Sequence, residues 1–215
     1  MSSSSSGERL LRERYNLLLP ALQRIKVAVV TDLSEVLGQL EHVDAVYGRV
    51  KSKASFISKV LRNPEKYDPP FREVEDLIAV RVLVLFPETG QQVADLVRTS
   101  VFPPLESDYR HEADPKVFGY EGYQSIHTIP SGILGPAPNS DFPTVFELQI
   151  RTLFQHAWIA PDHKINYKNR DPFPDLVEYE YKRKFGWLAA SAWGCDQMLQ
   201  DLLRIYRSNQ NVTRQ

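Results

Sequence analysis

Apolar residues recur at helical spacing through the first forty positions of the chain, on both sides of Pro20. They are Leu10, Leu11, Leu17 and Leu18 before the proline, and Leu22, Ile25, Val29, Leu33, Val36, Leu37 and Leu40 after it. Because proline is tolerated in the first turn of a helix, this pattern predicts two helices, the second beginning at Pro20. Both helices are expected to pack against a core and not to form a site.

Beyond position 43 the apolar pattern becomes typical of strands that alternate with helices. An alternating stretch over 44–51 predicts a short strand, and Ser52 is suited to cap a helix that ends before Asn63. The nearly unbroken apolar run over 77–86 predicts a central strand that is buried on both faces.

The second half of the chain continues the alternation. The pattern predicts a helix over 87–98, strands over 122–129 and 144–151, and a long helical region interrupted near 171–174. No internal repeat is evident. The interleaved elements therefore predict an α+β fold with a mixed sheet and helices before and after it.

The length of 215 residues and the apolar content of 42% fit one globular domain with helical extensions. The serine-rich start has no apolar segment of its own. We expect a disordered tail over 1–7, N-terminal helices over 8–43, a core over 44–170 and a C-terminal helical region over 171–215.

Charge and cysteine content narrow the function classes. The 26 basic and 27 acidic residues nearly balance, so any nucleic-acid contact would need a local basic patch. The single cysteine, Cys195, excludes an internal disulfide and is expected to pack in a core. Without a long apolar run or a secretory signal, the chain is expected to be cytoplasmic, with no membrane partner.

A basic set follows the first predicted strand. Its members are Arg49, Lys51, Ser55, Lys59 and Arg62. Alternate positions on a strand share a face, and so do positions four and seven apart on a helix. A strand that leads into a helix would thus present four cations and a hydroxyl to one region, which suits a polyphosphate. The alternative is a solvated basic face.

Two charged residues belong to the central apolar strand. Arg81 interrupts it, and burying an unpaired guanidinium costs several kcal/mol. Asp76 stands at the strand entrance, where it could bind a metal ion or Arg81. The strand alone leaves both an internal Asp76–Arg81 ion pair and a functional role open.

The strand over 144–151 separates an apolar face from a polar row formed by Glu147, Gln149 and Arg151. Exposure at a sheet edge would explain such a row. If Glu147 instead faces the same cleft as Asp76, the two carboxylates could bind Mg²⁺, which takes one or two protein carboxylates plus phosphates and water.

A glycine-rich segment, 119–127, precedes the polar row in the chain, and its Tyr123, Ser125 and His127 alternate onto one strand face. Tyrosine beside such a loop is suited to stack on a base, at about 1–3 kcal/mol, although tyrosine in a hairpin is commonly structural. His156 and His163 lie seven residues apart on a later helix, too far apart for a shared metal ion. We expect His156 to pack beneath the active face.

In this order the segments resemble the RelA/SpoT synthetase domain, which has a nucleotidyltransferase-like fold and transfers the β,γ-pyrophosphate of ATP. The matching motifs are Gly48-Arg-Val-Lys-Ser with Lys59 downstream, Glu75-Asp-Leu-Ile-Ala-Val-Arg81, Gly122-Tyr-Gln-Ser-Ile-His127, Glu147-Leu-Gln-Ile-Arg-Thr152 and His163 with Asn166-Tyr-Lys168. The size is similar to that of a stand-alone small alarmone synthetase. The family's separate His-Asp hydrolase domain has no counterpart, so synthesis without hydrolysis is expected.

The resemblance implies a role for each matching residue. Arg49 and Arg81 would sandwich the adenine of ATP, and Lys51, Ser55 and Lys59 would bind its phosphates. Arg62 is also expected to bind ATP. Asp76 and Glu147 would bind Mg²⁺ and carry catalysis. Tyr123, His127, Gln149 and Arg151 would contact the acceptor.

The acceptor is left open by one departure from the family pattern. Gly119 and Glu121 stand where guanine-nucleotide synthetases usually carry a lysine and often an asparagine. The acceptor is therefore GDP, GTP or an adenine nucleotide, or else the 3′-end of tRNA as in the toxic branch, which would bring an antitoxin as partner. A catalytically inactive nucleotide-binding module is the third alternative. Basic residues that could bind a tRNA backbone are Arg9, Arg12, Arg14, Arg24, Lys26, Lys182, Arg183 and Lys184.

Overall fold

A five-stranded mixed sheet with helices on both faces forms the centre of the computed structural model, which describes residues 2–110, 122–135, 142–166 and 175–213. The strands are β1 Val43–Val50, β2 Ile78–Val84, β3 Pro104–Arg110, β4 Tyr123–Thr128 and β5 Val145–Thr152. The helices are α1 Ser2–Leu37, α2 Lys53–Arg62, α3 Pro70–Glu73, α4 Pro87–Arg98, α5 Ser131–Leu134, α6 Leu153–Asn166 and α7 Asp175–Thr213. Within these residues, no helix combines the length and the hydropathy needed to cross a membrane.

The strand order is β1-β2-β5-β4-β3, which places β2 and β5 side by side in the interior of the sheet. These two strands pair in parallel, whereas β1–β2, β5–β4 and β4–β3 pair antiparallel. The prediction of an α+β fold with a mixed sheet and flanking helices is therefore confirmed.

Residues that pair directly across neighbouring strands share a face of the sheet. One row joins Gly48, Val80 and Leu148, on the face that packs against α1 and α4. The next row joins Arg49, Ala79 and Glu147 on the opposite face. We call these the core face and the site face.

The N-terminal region is one helix and not the two that the sequence predicted. Helix α1 runs through Pro20, and its buried stripe continues from Tyr15 to Leu22 across the proline. Pro20 is exposed, so the carbonyl one turn earlier, whose hydrogen bond the proline removes, lies on the solvent side of the helix. Packing of one continuous stripe therefore outweighs the break. The helix begins at Ser2, within the segment that we expected to be a disordered tail.

Gly48 allows α1 to approach β1 closely. A Cβ atom at this position would lie 2.8 Å from Cγ2 of Val30 and 2.9 Å from Cγ of Lys26. These distances are too short for ordinary contact, so the first glycine of the Gly48-Arg-Val-Lys-Ser motif is needed for packing. It fixes β1, and with it Arg49 and Lys51, against α1.

Candidate active site

A cleft of about 530 Å³ opens where β1 leads into α2. Its lining includes every member of the predicted basic set, namely Arg49, Lys51, Ser55, Lys59 and Arg62, together with Asp76. The structure therefore brings together the four cations, the hydroxyl and the carboxylate that the sequence singled out separately.

The turn from β1 to α2 is fixed by local hydrogen bonds. Ser52 caps α2, as predicted, because its Oγ accepts from the backbone N–H of Ser55 at 3.3 Å. Tyr15 of α1 donates its hydroxyl hydrogen to the carbonyl of Lys51 at 2.6 Å. Burial raises the pKa of Tyr15, which keeps this donor protonated. Lys51 and the first turn of α2 are thereby anchored to α1.

Asp76 is bound by two lysines and not by Arg81. Lys59 Nζ lies 2.8 Å from Asp76 Oδ1, and Lys51 Nζ forms an ion pair with Oδ2. Burial raises the pKa of Asp76, but the hydrogen bonds and charges of both lysines outweigh it, so the pKa lies below its ordinary value. The alternative of an internal Asp76–Arg81 pair is wrong.

Glu147 is 5% exposed and accepts hydrogen bonds from two amides. Gln149 donates to Oε2 at 2.8 Å, and Gln124 donates to Oε1. Burial, followed by the negative charge of Asp76, raises the pKa of Glu147, against smaller opposing effects of Arg49 and the amides. A buried carboxylate with a raised pKa is a candidate proton acceptor near neutral pH.

The polar row on β5 is buried and does not lie at an edge of the sheet. β5 pairs with β2 on one side and β4 on the other, and Glu147, Gln149 and Arg151 are each at most 6% exposed. The alternative of edge exposure is therefore wrong. Buried polar groups require partners, and Glu147 and Gln149 find them in a hydrogen-bonded network on the site face.

Arg81 belongs to that network. Its Nε and Nη2 donate to Gln149 Oε1 at 3.1 and 2.7 Å, and its Nη1 lies 3.1 Å from His156 Nδ1. Tyr47 pairs with Arg81 across β1 and β2, and its hydroxyl lies 3.4 Å from His156 Nε2. His156 therefore contacts two polar side chains of the site face, beyond the packing role that we expected.

Tyr123 and His127 lie on the core face, although contact with an acceptor beside Glu147 would require the site face. In the β4–β5 register Tyr123 pairs with Ile150 and His127 with Phe146. His127 is 3% exposed, and its Nδ1 lies 2.8 Å from the carbonyl of Phe102. The hydroxyl of Tyr123 donates to Gln91 of α4. These positions favour the structural alternative for Tyr123 and do not support contact between His127 and the acceptor.

Gln124, between them in the chain, occupies the site face instead and pairs with Gln149. Sequence reasoning missed Gln124, because the face of a strand follows from its register with a distant strand. It also missed Tyr67, which lines the cleft. The ammonium nitrogen of Lys59 lies 5.4 Å from the centroid of the Tyr67 ring. Gly119, Glu121 and the side chain of His163 fall outside the described part of the chain.

The donor set fits Mg²⁺ in the way expected for a nucleotide site. Among the described residues, no three His, Cys, Asp or Glu side chains are grouped so that they could hold a metal ion. Asp76 precedes β2, and its charge helps to raise the pKa of Glu147 on the neighbouring strand β5, so the two carboxylates lie near each other. Two hard oxygen donors leave the remaining Mg²⁺ positions to substrate phosphates and water.

Known proteins share this chain's sequence pattern and fold. A family described as a region found in RelA / SpoT proteins matches residues 48–172. GTP pyrophosphokinase YjbM of Bacillus subtilis (strain 168) is 24% identical over 163 residues, which are 74% of either chain.

Solved structures agree with the fold. Small alarmone synthetase 1 from Bacillus subtilis superposes with a TM-score of 0.73 at 19% identity, covering 91% of this chain and 99% of its own. The same enzyme has been solved with its product pppGpp, at a TM-score of 0.65 and 22% identity over 89% and 96% of the two chains. A GTP pyrophosphokinase family protein from Streptococcus pneumoniae gives a TM-score of 0.69 at 23% identity over 93% and 97%.

Proposed function

The chain belongs to the RelA/SpoT family, and on that premise we propose that it is a pyrophosphokinase using ATP and a nucleotide acceptor. It transfers the β,γ-pyrophosphate of ATP to the ribose 3′-hydroxyl of a guanine or adenine nucleotide and releases AMP. The observation that carries this proposal is the cleft in which four cations, a capped helix start and Asp76 converge next to the buried Glu147.

The cations bind the polyphosphate. Lys51, Lys59 and Arg62 line the cleft around Ser55, one turn into α2, where backbone N–H groups also favour anions. Even with Asp76 in the same lining, the cleft is net positive, which favours a polyphosphate anion. Arg49 and Arg81 lie on adjacent strands of the site face, and guanidinium groups stack well on planar bases.

Asp76 and Glu147 would hold Mg²⁺, which when bound neutralises charge on the transferring phosphates. The acceptor 3′-oxygen attacks the β-phosphorus, and the bond from that phosphorus to the α,β-bridging oxygen breaks. AMP leaves with the bridging oxygen. The hydroxyl proton passes to the carboxylate of Glu147, whose pKa is raised by burial and then by Asp76.

A nucleotide acceptor is favoured over tRNA. The related enzyme from Bacillus subtilis is named a GTP pyrophosphokinase, and small alarmone synthetase 1 carries pppGpp as product. Several basic residues proposed for a tRNA backbone already have partners. Arg24 donates to the carbonyls of Ile133 and Leu134 at 3.0 Å, and Lys182 pairs with Glu178 one turn earlier.

The tRNA alternative retains one specific observation. Gly119 and Glu121 replace a cation with a carboxylate in the segment that precedes β4, which disfavours the 5′-phosphates of a nucleoside triphosphate. The 3′-terminal adenosine of tRNA presents a phosphodiester there, with less charge. An antitoxin partner would accompany this alternative.

Incubation with γ-labelled ATP and, in parallel, GDP, GTP, ADP or deacylated tRNA identifies the acceptor, with the Glu147→Gln protein as blank. We expect label in a free nucleotide and equimolar AMP. Label in tRNA alone would replace the acceptor assignment, and the tRNA affinity should then fall steeply with salt. An absence of AMP with every acceptor would reject the pyrophosphokinase proposal in favour of an inactive binding module.

A further inference from the structure

His156 of α6 ends a line of hydrogen-bonded side chains that crosses the site face from Glu147. Gln149 donates to Glu147 Oε2 at 2.8 Å and accepts from Arg81 at 2.7 and 3.1 Å. Arg81 Nη1 lies 3.1 Å from His156 Nδ1. The line thus connects the catalytic carboxylate with an imidazole on another element.

Arg81 fixes the direction of these hydrogen bonds. A guanidinium only donates, so His156 Nδ1 accepts and the ring proton lies on Nε2, which faces the Tyr47 hydroxyl at 3.4 Å. Burial, followed by the charges of Arg81 and Arg151, lowers the pKa of His156, in agreement with a neutral ring. The imidazole therefore serves as an uncharged acceptor for a cation.

The contacts of Arg81 lie at the rim of its guanidinium group. Nε and Nη2 bind Gln149 on β5, while Nη1 binds His156 in the first turns of the helix that follows β5. Contacts from two directions fix the orientation of a plane, and they leave the flat faces as its stacking surfaces. The conformational entropy of the Arg81 side chain is therefore lost on folding, and not when a ligand binds.

We propose that His156 is a positioning residue that orients the guanidinium plane of Arg81 for stacking on the nucleotide base of ATP. The inference rests on the proposed function in one respect, namely that Arg81 contacts the nucleotide. His156 acts through Arg81, so it sets nucleotide affinity and has little influence on the chemical step.

The test measures binding of AMPCPP by calorimetry in the full chain. In this analogue a methylene group replaces the α,β-bridging oxygen, so the transfer cannot occur. His156→Leu should weaken binding about tenfold, the scale of a hydrogen bond to a charged group. His156→Asn should retain most of the affinity, because Oδ1 can accept from Arg81 where Nδ1 does. In steady-state assays with ATP, His156→Leu should raise KM and leave kcat nearly unchanged.

A double-mutant cycle separates positioning from direct contact. In an Arg81→Ala background, His156→Leu should cause no further loss of AMPCPP affinity. An equal loss in both backgrounds, or a kcat loss without a KM change, would overturn the inference. If His156→Leu fails to fold, His156→Gln replaces it, since its oxygen falls near Nε2 and cannot reach Arg81, and it should also weaken binding.

The same cycle distinguishes the inference from its premise. Unchanged AMPCPP affinity in Arg81→Ala would remove Arg81 from the nucleotide site and would reject part of the proposed function. Weaker binding in Arg81→Ala with wild-type binding in His156→Leu would reject the role of His156 alone.

Discussion

Asp76, which precedes β2, and Glu147, on the neighbouring strand β5, lie near each other, but the two carboxylates are bound in opposite ways. Both oxygens of Asp76 accept from ammonium groups, those of Lys51 and Lys59. Both oxygens of Glu147 accept from neutral amides, those of Gln124 and Gln149. The pKa of Asp76 is consequently lowered despite burial, whereas burial and the charge of Asp76 raise the pKa of Glu147.

The difference assigns distinct tasks to two regions of one site. Lys51 and Lys59 compensate the charge of Asp76 before any nucleotide binds. If the phosphates of a bound nucleotide paired with both lysines instead, the carboxylate oxygens of Asp76 would become available to a divalent cation. The region around Glu147 holds a carboxylate whose pKa is raised by burial and by Asp76, against the smaller opposing effects of Arg49 and the amides. In the proposed mechanism, phosphate binding belongs to the first region and proton transfer to the second.

The largest expected effect concerns turnover, and both regions should be essential for it. Asp76→Asn and Glu147→Gln should each lower AMP release by about 100-fold or more, because electrostatic stabilisation of the transferring group is lost. Release of AMP from labelled ATP measures this loss. Both variants should also weaken the Mg²⁺-dependent part of AMPCPP binding, because both carboxylates are proposed to hold the ion. Near-normal turnover in either folded variant would contradict the assignment of that carboxylate.

The second effect separates phosphate binding from general charge on α2. Lys59→Met should weaken AMPCPP binding about 10- to 100-fold, since a hydrogen bond between charged groups is lost. Lys53→Met is the matched control. Lys53 lies on the same helix, but its Nζ donates to Asn16 Oδ1 at 3.0 Å and it is not part of the cleft lining. An equal loss in both variants would mean that the helix contributes only diffuse charge.

The sequence predicted the first region better than the second, and the reason is the range of the contacts. Ser52, Ser55 and Lys59 lie within one turn and the helix that follows it, so local spacing determines which face they share. Their convergence with Asp76 needs only that β1 and β2 be neighbours. Motif spacing therefore located the basic half of the cleft.

The second region depends on pairing between distant strands. Alternation showed that Tyr123 and His127 share a face, but only the register with β5 shows that this is the core face. A shift of one residue would exchange the faces of β4, and no local signal decides it. β3 was not predicted, because Pro104–Arg110 is a polar edge strand without an apolar alternation.

A third effect distinguishes the two regions by stability. Asp76→Asn leaves two ammonium groups close together without their partner, and the carboxylate and Lys51 side chains are only 17% and 12% exposed. We expect a loss of about 1–3 kcal/mol, below that of a fully buried pair. Glu147→Gln removes a charge that burial disfavours, and Gln124 can reverse its amide to match the new side chain. Its stability should change by less than about 1 kcal/mol.

Thermal melting in EDTA measures both variants without metal. At this chain length 1 kcal/mol corresponds to about 2–4 °C in Tm. A larger Tm loss in Glu147→Gln than in Asp76→Asn would reverse the comparison. It would mean that the amides, and not the lysines, form the stabilising partners of this site.

The smallest effect is the pH dependence of those melting temperatures, and its sign differs between the two carboxylates. The folded pKa of Glu147 is raised, so the native state binds a proton more readily than the unfolded chain does. Stability then falls as pH rises through the window above the ordinary glutamate value of about 4.3, and it is regained on acidification. The folded pKa of Asp76 is lowered, so its contribution to stability is complete above the ordinary aspartate value of about 3.9 and is lost only below it.

In EDTA, the Tm of the wild type should therefore rise relative to that of Glu147→Gln as the pH is lowered from 7 to 5. Over the same interval its advantage over Asp76→Asn should stay constant and should narrow only near pH 4 and below. A constant difference between wild type and Glu147→Gln from pH 7 to pH 5 would show that the amides stabilise the ionised carboxylate fully, and the proton acceptor of the reaction would then have to be sought in another group.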